Sequence, residues 1–73
     1  MTAKEMFEKL GYEYKETNDE DEIRYKSKSG AFIICFYKAM QQVYCYTKND
    51  EPFGIDVNEL QAINKQVEEL GWK

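Results

Sequence analysis

"AFIICFYKAMQQVYCYT", residues 31–47, decides how this chain folds and which side of it is core. Residues 31–37 are apolar at nearly every position, as in a strand flanked by partners on both sides. Residues 43–47, rich in Val, Cys and Tyr, read as a neighbouring strand. Both cysteines of the chain, Cys35 and Cys45, lie in this stretch. Their relative placement depends on the length of the loop made from "KAMQQ", 38–42. An even loop of two or four residues sets Phe36 opposite Val43 and Ile34 opposite Cys45, with the cysteines on opposite faces. An odd loop puts them on one face, and a five-residue closure sets them directly opposite. A one-residue slip therefore turns over every side chain.

The preceding hairpin favours the even loop. If Ser29-Gly30 is a two-residue turn, Lys28 pairs with Ala31, Tyr25 with Ile34 and Ile23 with Phe36. The apolar alternation of 23 and 25 then joins the even face of 32–36. An even second loop adds Val43 and Cys45 to that face. Cys45 is expected to look toward the core and Cys35 away from it, as free thiols without a disulfide.

Outward from this pair, Tyr12 and Tyr14 alternate with Glu13 and Lys15, which reads as a first strand. "TNDED" (17–21) and "KSKSG" (26–30) supply turn chemistry. Thr2 with Glu5 reads as a capping box opening a helix that carries Met6, Phe7 and Leu10 on one face. Gly11 stops it, because only Gly takes a left-handed C′ position cheaply. Asp56 with Glu59 opens a second helix, with Val57, Leu60, Ile63, Val67 and Leu70 as its apolar stripe and Gly71-Trp72 as its stop. The likeness of "FEKLGY" (7–12) to "VEELGW" (67–72) reads as two similar helix stops, since a tandem repeat leaves the middle unexplained. The expected fold is a two-layer α+β domain spanning 1–73, in the order α-β-β-β-β-α. A four-stranded antiparallel meander carries the N- and C-terminal helices packed on one face.

Composition narrows function. With 73 residues the chain is near the lower limit for a core without staples. A formal net charge of −4 argues against non-specific attraction to nucleic acid or anionic membrane. The charged opening "MTAKEMFEKL" does not fit a signal peptide, and the longest apolar run is far short of a membrane span. Free cysteines without a secretory signal suggest the cytoplasm. There is no histidine, which removes Ser-His and Cys-His sites and His metal ligands. Counted from Asp19 as an EF-hand loop, position 6 is Arg24 and position 12 is Gly30, where Gly and Glu are needed. "NDEPFGID" (49–56) fails similarly, and no Gly-rich phosphate loop occurs. The expectation is no enzyme, no cofactor, no metal and no small-molecule ligand.

What remains is the sheet face away from the helices. It should carry Ile33, Cys35, Tyr37, Tyr44 and Tyr46, with Arg24 and Lys26 beside them and Glu13, Lys15 and Lys48 around the rim. Such a patch is the candidate interaction face. A merely amphipathic tyrosine surface is the plainer reading of the same residues. The partner would be a protein, either foreign or a second copy, through this face or the edge strand "VYCYT". Single-stranded nucleic acid is the alternative, with Tyr37, Tyr44 and Tyr46 stacking bases and Lys15, Arg24 and Lys26 meeting phosphates. The negative charge and the lack of an RNP-type signature disfavour it.

The two ends carry a resemblance. "AKEMFEKLGY" (3–12) and "IDVNELQAINKQVEELGW" (55–72) resemble the ends of small proteins encoded in phages and prophages of Gram-positive bacteria. In these, an opening like A-x-E-M-F-E-x-L-G-Y and a closing like I-x-x-x-E-L-x-A-I-x-x-x-x-x-E-L-G-W bracket a variable tyrosine-rich middle. The similarity covers about half of the chain, at residues 3–14 and 55–72. It implies a bacterial cytoplasmic setting and carries no function. The matched residues are caps and core positions, so it names no site.

Overall fold

The capping signals at the two ends act as the sequence suggests in a computed structural model, which describes residues 1–72. Thr2 Oγ1 accepts from the Glu5 N–H at 3.1 Å, and Glu5 Oε1 accepts from the Thr2 N–H at 2.8 Å. Helix α1 follows over Ala3–Lys9. Asp56 and Glu59 exchange the same pair of bonds at 2.8 and 2.9 Å, and helix α2 follows over Val57–Glu69. Each reciprocal pair satisfies donors that a helix start leaves open. At the far end of α2, Gly71 sits at φ 73°. Its N–H bonds Glu68 O at 3.0 Å, and the Trp72 N–H bonds Val67 O at 3.1 Å. This closes the last turn and swings Trp72 back toward the core.

Between the helices lie β1 (Tyr12–Lys15), β2 (Glu22–Ser27), β3 (Phe32–Tyr37) and β4 (Gln42–Thr47). They form one antiparallel sheet in chain order, the expected meander. Tyr25 stands opposite Ile34, Ile23 opposite Phe36, Ile34 opposite Cys45, and Phe36 opposite Val43. The even register is the one adopted, and Cys35 and Cys45 are free thiols on opposite faces.

One turn departs from expectation. Tyr25 and Ile34 do pair, but the β2–β3 connection is a four-residue loop, 28–31, and not a tight Ser29-Gly30 turn. The Gly30 N–H reaches Ser27 O at 2.8 Å, with Gly30 at φ 80°. Serine hydroxyls then take over the remaining donors: Ser27 Oγ accepts from the Phe32 N–H at 3.1 Å, and Ser29 Oγ from the Ala31 N–H at 3.2 Å. Side-chain acceptors compete here with ladder closure.

The β3–β4 loop, 38–41, contains no glycine, and Gln41 takes the left-handed position at φ 52°. An anchor from elsewhere in the chain holds it. The Lys38 N–H bonds Asp21 O at 2.8 Å, and the Ala39 N–H bonds Asp21 Oδ1 at 2.6 Å. The acidic turn before β2 is therefore not merely solvated; one of its carboxylates holds the loop that sets the register. Asp21→Ala is expected to lower stability by about 1–2 kcal/mol, the worth of a charge-assisted hydrogen bond, read as a reduced urea midpoint.

Both helices pack on the face presented by the even residues of β3. The core holds Phe7 from α1, Tyr12, Tyr25, Ile34 and Phe36 from the sheet, and Ala62 and Ile63 from α2. The expected stripe on α2 is corrected at its first turn. Val57 and Leu60 are exposed, while Ala62, Ile63 and Gln66 are buried. The reason is polar. Tyr12 Oη donates to Glu59 Oε2 at 2.5 Å, and Tyr25 Oη donates to Gln66 Oε1 at 2.6 Å. Phenols on the sheet need acceptors on the helix above them, so Glu59 and Gln66 turn inward with Ala62 and Ile63. Ile55 and Leu60 stand at the N′ and N4 positions around this cap, and both are exposed.

Candidate interaction face

The register assembles the face away from the helices in rows. Lys15, Arg24, Cys35 and Tyr44 form one row across the four strands, and Glu13, Lys26, Ile33 and Tyr46 form the next. Glu22, Tyr37 and Gln42 make the third. All seven residues expected on this face share it: Arg24, Lys26, Ile33, Cys35, Tyr37, Tyr44 and Tyr46. Strand alternation alone places them so, two residues apart on each strand.

Their exposure is uneven, and this corrects the picture of a flat open patch. Cys35 is fully buried although no helix covers it. Its neighbours seal it. Tyr37 and Tyr44 meet edge to face, with ring centroids 5.3 Å apart at 75°. On the other side the Arg24 guanidinium pairs with Glu22 at 2.5 Å, and the Glu22 side chain is only 8% exposed. The result is a small second core of a thiol, an ion pair and aromatic rings. Sequence reasoning missed Glu22, whose place in an acidic run masked it. Its alternation with Arg24 was the available signal.

Electrostatics follow from this sealing. Burial pushes the Cys35 thiol up to about 11, with the Glu22 carboxylate adding in the same direction. Contact with the Cys35 thiol, followed by burial, raises the Tyr37 phenol well above its usual range. Burial also raises Cys45, on the other face, with Glu59 adding to it. A thiol held protonated at neutral pH is a poor nucleophile. Cys45 is partly exposed and Cys35 is not. Under native conditions an aromatic disulfide reagent is expected to react first with Cys45. Cys35 should react only at the rate of unfolding, as a Cys45→Ser variant followed by absorbance would show.

Beside the tyrosines, along the β4 edge, the surface dips into a depression of about 460 Å³ lined by Tyr37, Tyr44, Cys45, Tyr46, Asp50 and Pro52. Its outer wall is the chain after β4. Pro52 lies alongside Tyr46 as an isolated bridge, the Thr47 N–H bonds Glu51 O at 2.7 Å, and the Asp50 N–H bonds Thr47 O at 2.9 Å. In the sequence, the only protection flanking the β4 edge is Lys48. In the fold the returning segment occupies one end of it and places a residue without an N–H there. Of the outward backbone positions, 43 and 45 remain open beside the closed end.

One other surface stands out. The exposed side chains of Ile55, Val57 and Leu60 make an apolar patch at the start of α2. Among the described residues no cluster of three potential metal ligands occurs, and no helix is long and apolar enough to cross a membrane. No protein-family model, curated protein or solved structure matches this chain.

Proposed function

We propose that this chain is a non-catalytic accessory protein of the phage or prophage type its ends resemble, working in the cytoplasm through protein–protein contact on the open face of its sheet. The observation that carries this reading is the tyrosine cluster over a sealed base. Tyr44 is 49% exposed, yet its ring is braced by Tyr37 and its hydroxyl donates to Gln42 Oε1 at 2.7 Å. Held tyrosines offer large contact area at low entropic cost, and for this reason they recur at interfaces. The high pKa of Cys35 and the absence of histidine support a role without catalysis.

Single-stranded nucleic acid is the second reading, favoured by Lys15, Arg24 and Lys26 on the same face. Against it, Arg24 is tied to Glu22, and Lys15 lies 3.2 Å from Glu13. Cations already paired release few counterions on meeting phosphates. The test is site-specific photo-crosslinking in cells. A benzophenone amino acid at position 44 should give a protein adduct, whether with itself or another chain, and one at exposed position 20 should not. Absence of any protein adduct from position 44, or an adduct with nucleic acid only, overturns the reading.

A further inference from the structure

Pro52 fills one position of a fifth strand and leaves the next one empty. It stands opposite Tyr46, and among the described residues no other member of its segment pairs with β4. Phe53 turns away to meet Phe32, with ring centroids 4.9 Å apart. Along β4 the Lys48 N–H turns inward to Ala31 O at 2.9 Å, whereas the Thr47 N–H turns outward to Glu51 O. Odd positions therefore present their backbone to the edge, and those of Val43 and Cys45 are open there. A residue placed between them, opposite Tyr44, sends its side chain to the face that Tyr44 occupies. The depression of Tyr37, Tyr44, Tyr46, Asp50 and Pro52 lies on that side. Edge and depression are thus the backbone half and the side-chain half of one vacant strand position. The lining also selects by charge. Asp50 is its one charged residue, is exposed, and forms no ion pair among the described residues. Lys15, Arg24 and Lys26 stand on β1 and β2, at least two strands away, and Lys48 does not line the depression. Aromatic rings beside a lone carboxylate favour an ammonium or guanidinium group.

Resting on the reading of this sheet as a protein-contact surface, we propose that its partner is an extended peptide segment that pairs with the open edge of β4 at Val43 and Cys45 and places a lysine or arginine side chain in the tyrosine depression beside Asp50. Backbone pairing supplies the affinity and the depression selects the side chain, the division of labour of strand addition. The segment is short, because the outward N–H of Thr47 is already taken by Glu51 and pairing can run only from Cys45 toward the β3–β4 loop. A second copy of the chain fits less well. Antiparallel pairing of two β4 edges through 43 and 45 sets Tyr44 on Tyr44 and brings no cation to Asp50.

The experiment is an NMR titration of the isotope-labelled full chain, under reducing agent, with short blocked peptides of alternating threonine and valine. Their central residue is lysine, norleucine or glutamate, and a further lysine peptide is N-methylated at the two residues flanking the centre. The lysine peptide should shift the Val43 and Cys45 amides and slow their hydrogen exchange. Norleucine or glutamate at the centre should weaken binding at least fivefold, and N-methylation should abolish it. Asp50→Asn, which suits the φ of 65° at this position, and Tyr44→Ala should each bring the lysine peptide down to the norleucine level. Val57→Ser, on the apolar patch of α2, should change nothing. Far-UV circular dichroism of each variant separates loss of binding from loss of folding. No binding of the lysine peptide at millimolar concentration overturns the proposal, and so does equal binding of the norleucine peptide. Slow exchange at Val43 and Cys45 without peptide, growing with protein concentration, puts a second copy on the edge and overturns it too. Any of these results with a protein crosslink still formed from position 44 sinks the peptide inference alone, whereas loss of every protein crosslink sinks the contact reading itself.

Discussion

Phe7→Ala is expected to leave most of the chain unfolded at room temperature. Phe7 is fully buried at the centre of the core. Its ring stacks on Tyr25 with centroids 4.0 Å apart at 20°, and it meets Tyr12 and Phe36 edge-on at 5.9 and 6.2 Å. Truncating a buried Phe costs about 3–5 kcal/mol through lost transfer energy and the cavity left behind. A single core in a chain of this size supplies about 3–5 kcal/mol in total. The two quantities are of the same size, so one substitution consumes the margin. Phe7→Leu, which keeps most of the volume, should lower the midpoint but retain a cooperative transition. Far-UV circular dichroism with urea titration reads both. An alanine variant that melts within a few degrees of wild type would mean that α1 does not anchor the core.

The second large effect is alkaline unfolding. Burial pushes Tyr25 up to about 12, with the carboxylate of Glu69 adding to it. Burial and the hydrogen bond to Glu59 raise Tyr12 further still. The unfolded phenol titrates near its ordinary value of 10.0. The folded state thus keeps protons that the unfolded state releases, and stability falls as pH rises. The contribution is whole below about pH 10, shrinks from there through about 12, and for Tyr25 amounts to about 3 kcal/mol. The Cys35 thiol acts with the same sign from about pH 9. Urea midpoints measured from pH 8 to 12 under reducing agent should therefore hold steady and then drop steeply. Tyr25→Phe should be less stable at pH 8 by about 1 kcal/mol, since Gln66 Oε1 loses its donor, and should fall less steeply above pH 10. A flat profile to pH 12 would show that the phenols are not held neutral by the fold.

The largest mismatch between pattern and structure, the facing side of α2, has the same origin as this pH dependence. Hydrophobic periodicity selects Val57, Leu60, Ile63, Val67 and Leu70. Ile63, Val67 and Leu70 do pack on the core, but Glu59, Ala62 and Gln66 turn inward in place of Val57 and Leu60, because two buried phenols below the helix require acceptors. A periodicity argument counts Glu and Gln as solvent-facing and has no means of knowing that tyrosines lie opposite. Likewise Asp21 reads as one more acid in a turn, until the Lys38 and Ala39 amides are found bonded to it across 17 or more residues of chain.

By itself the sequence determined the number, order and type of the elements, both helix caps, the meander and the β2–β3–β4 register. These are legible because they rest on neighbours in the chain: a cap within three residues, alternation of period two, and a hairpin whose faces must agree. Tertiary structure alone decided how α2 rotates over the sheet, that residues 48–52 close one end of the β4 edge, and that Cys35 and Glu22 lie sealed on a face no helix covers. Each of those depends on groups far apart in the chain satisfying one another's hydrogen bonds or excluding one another's water, and that information exists only once the chain has closed on itself.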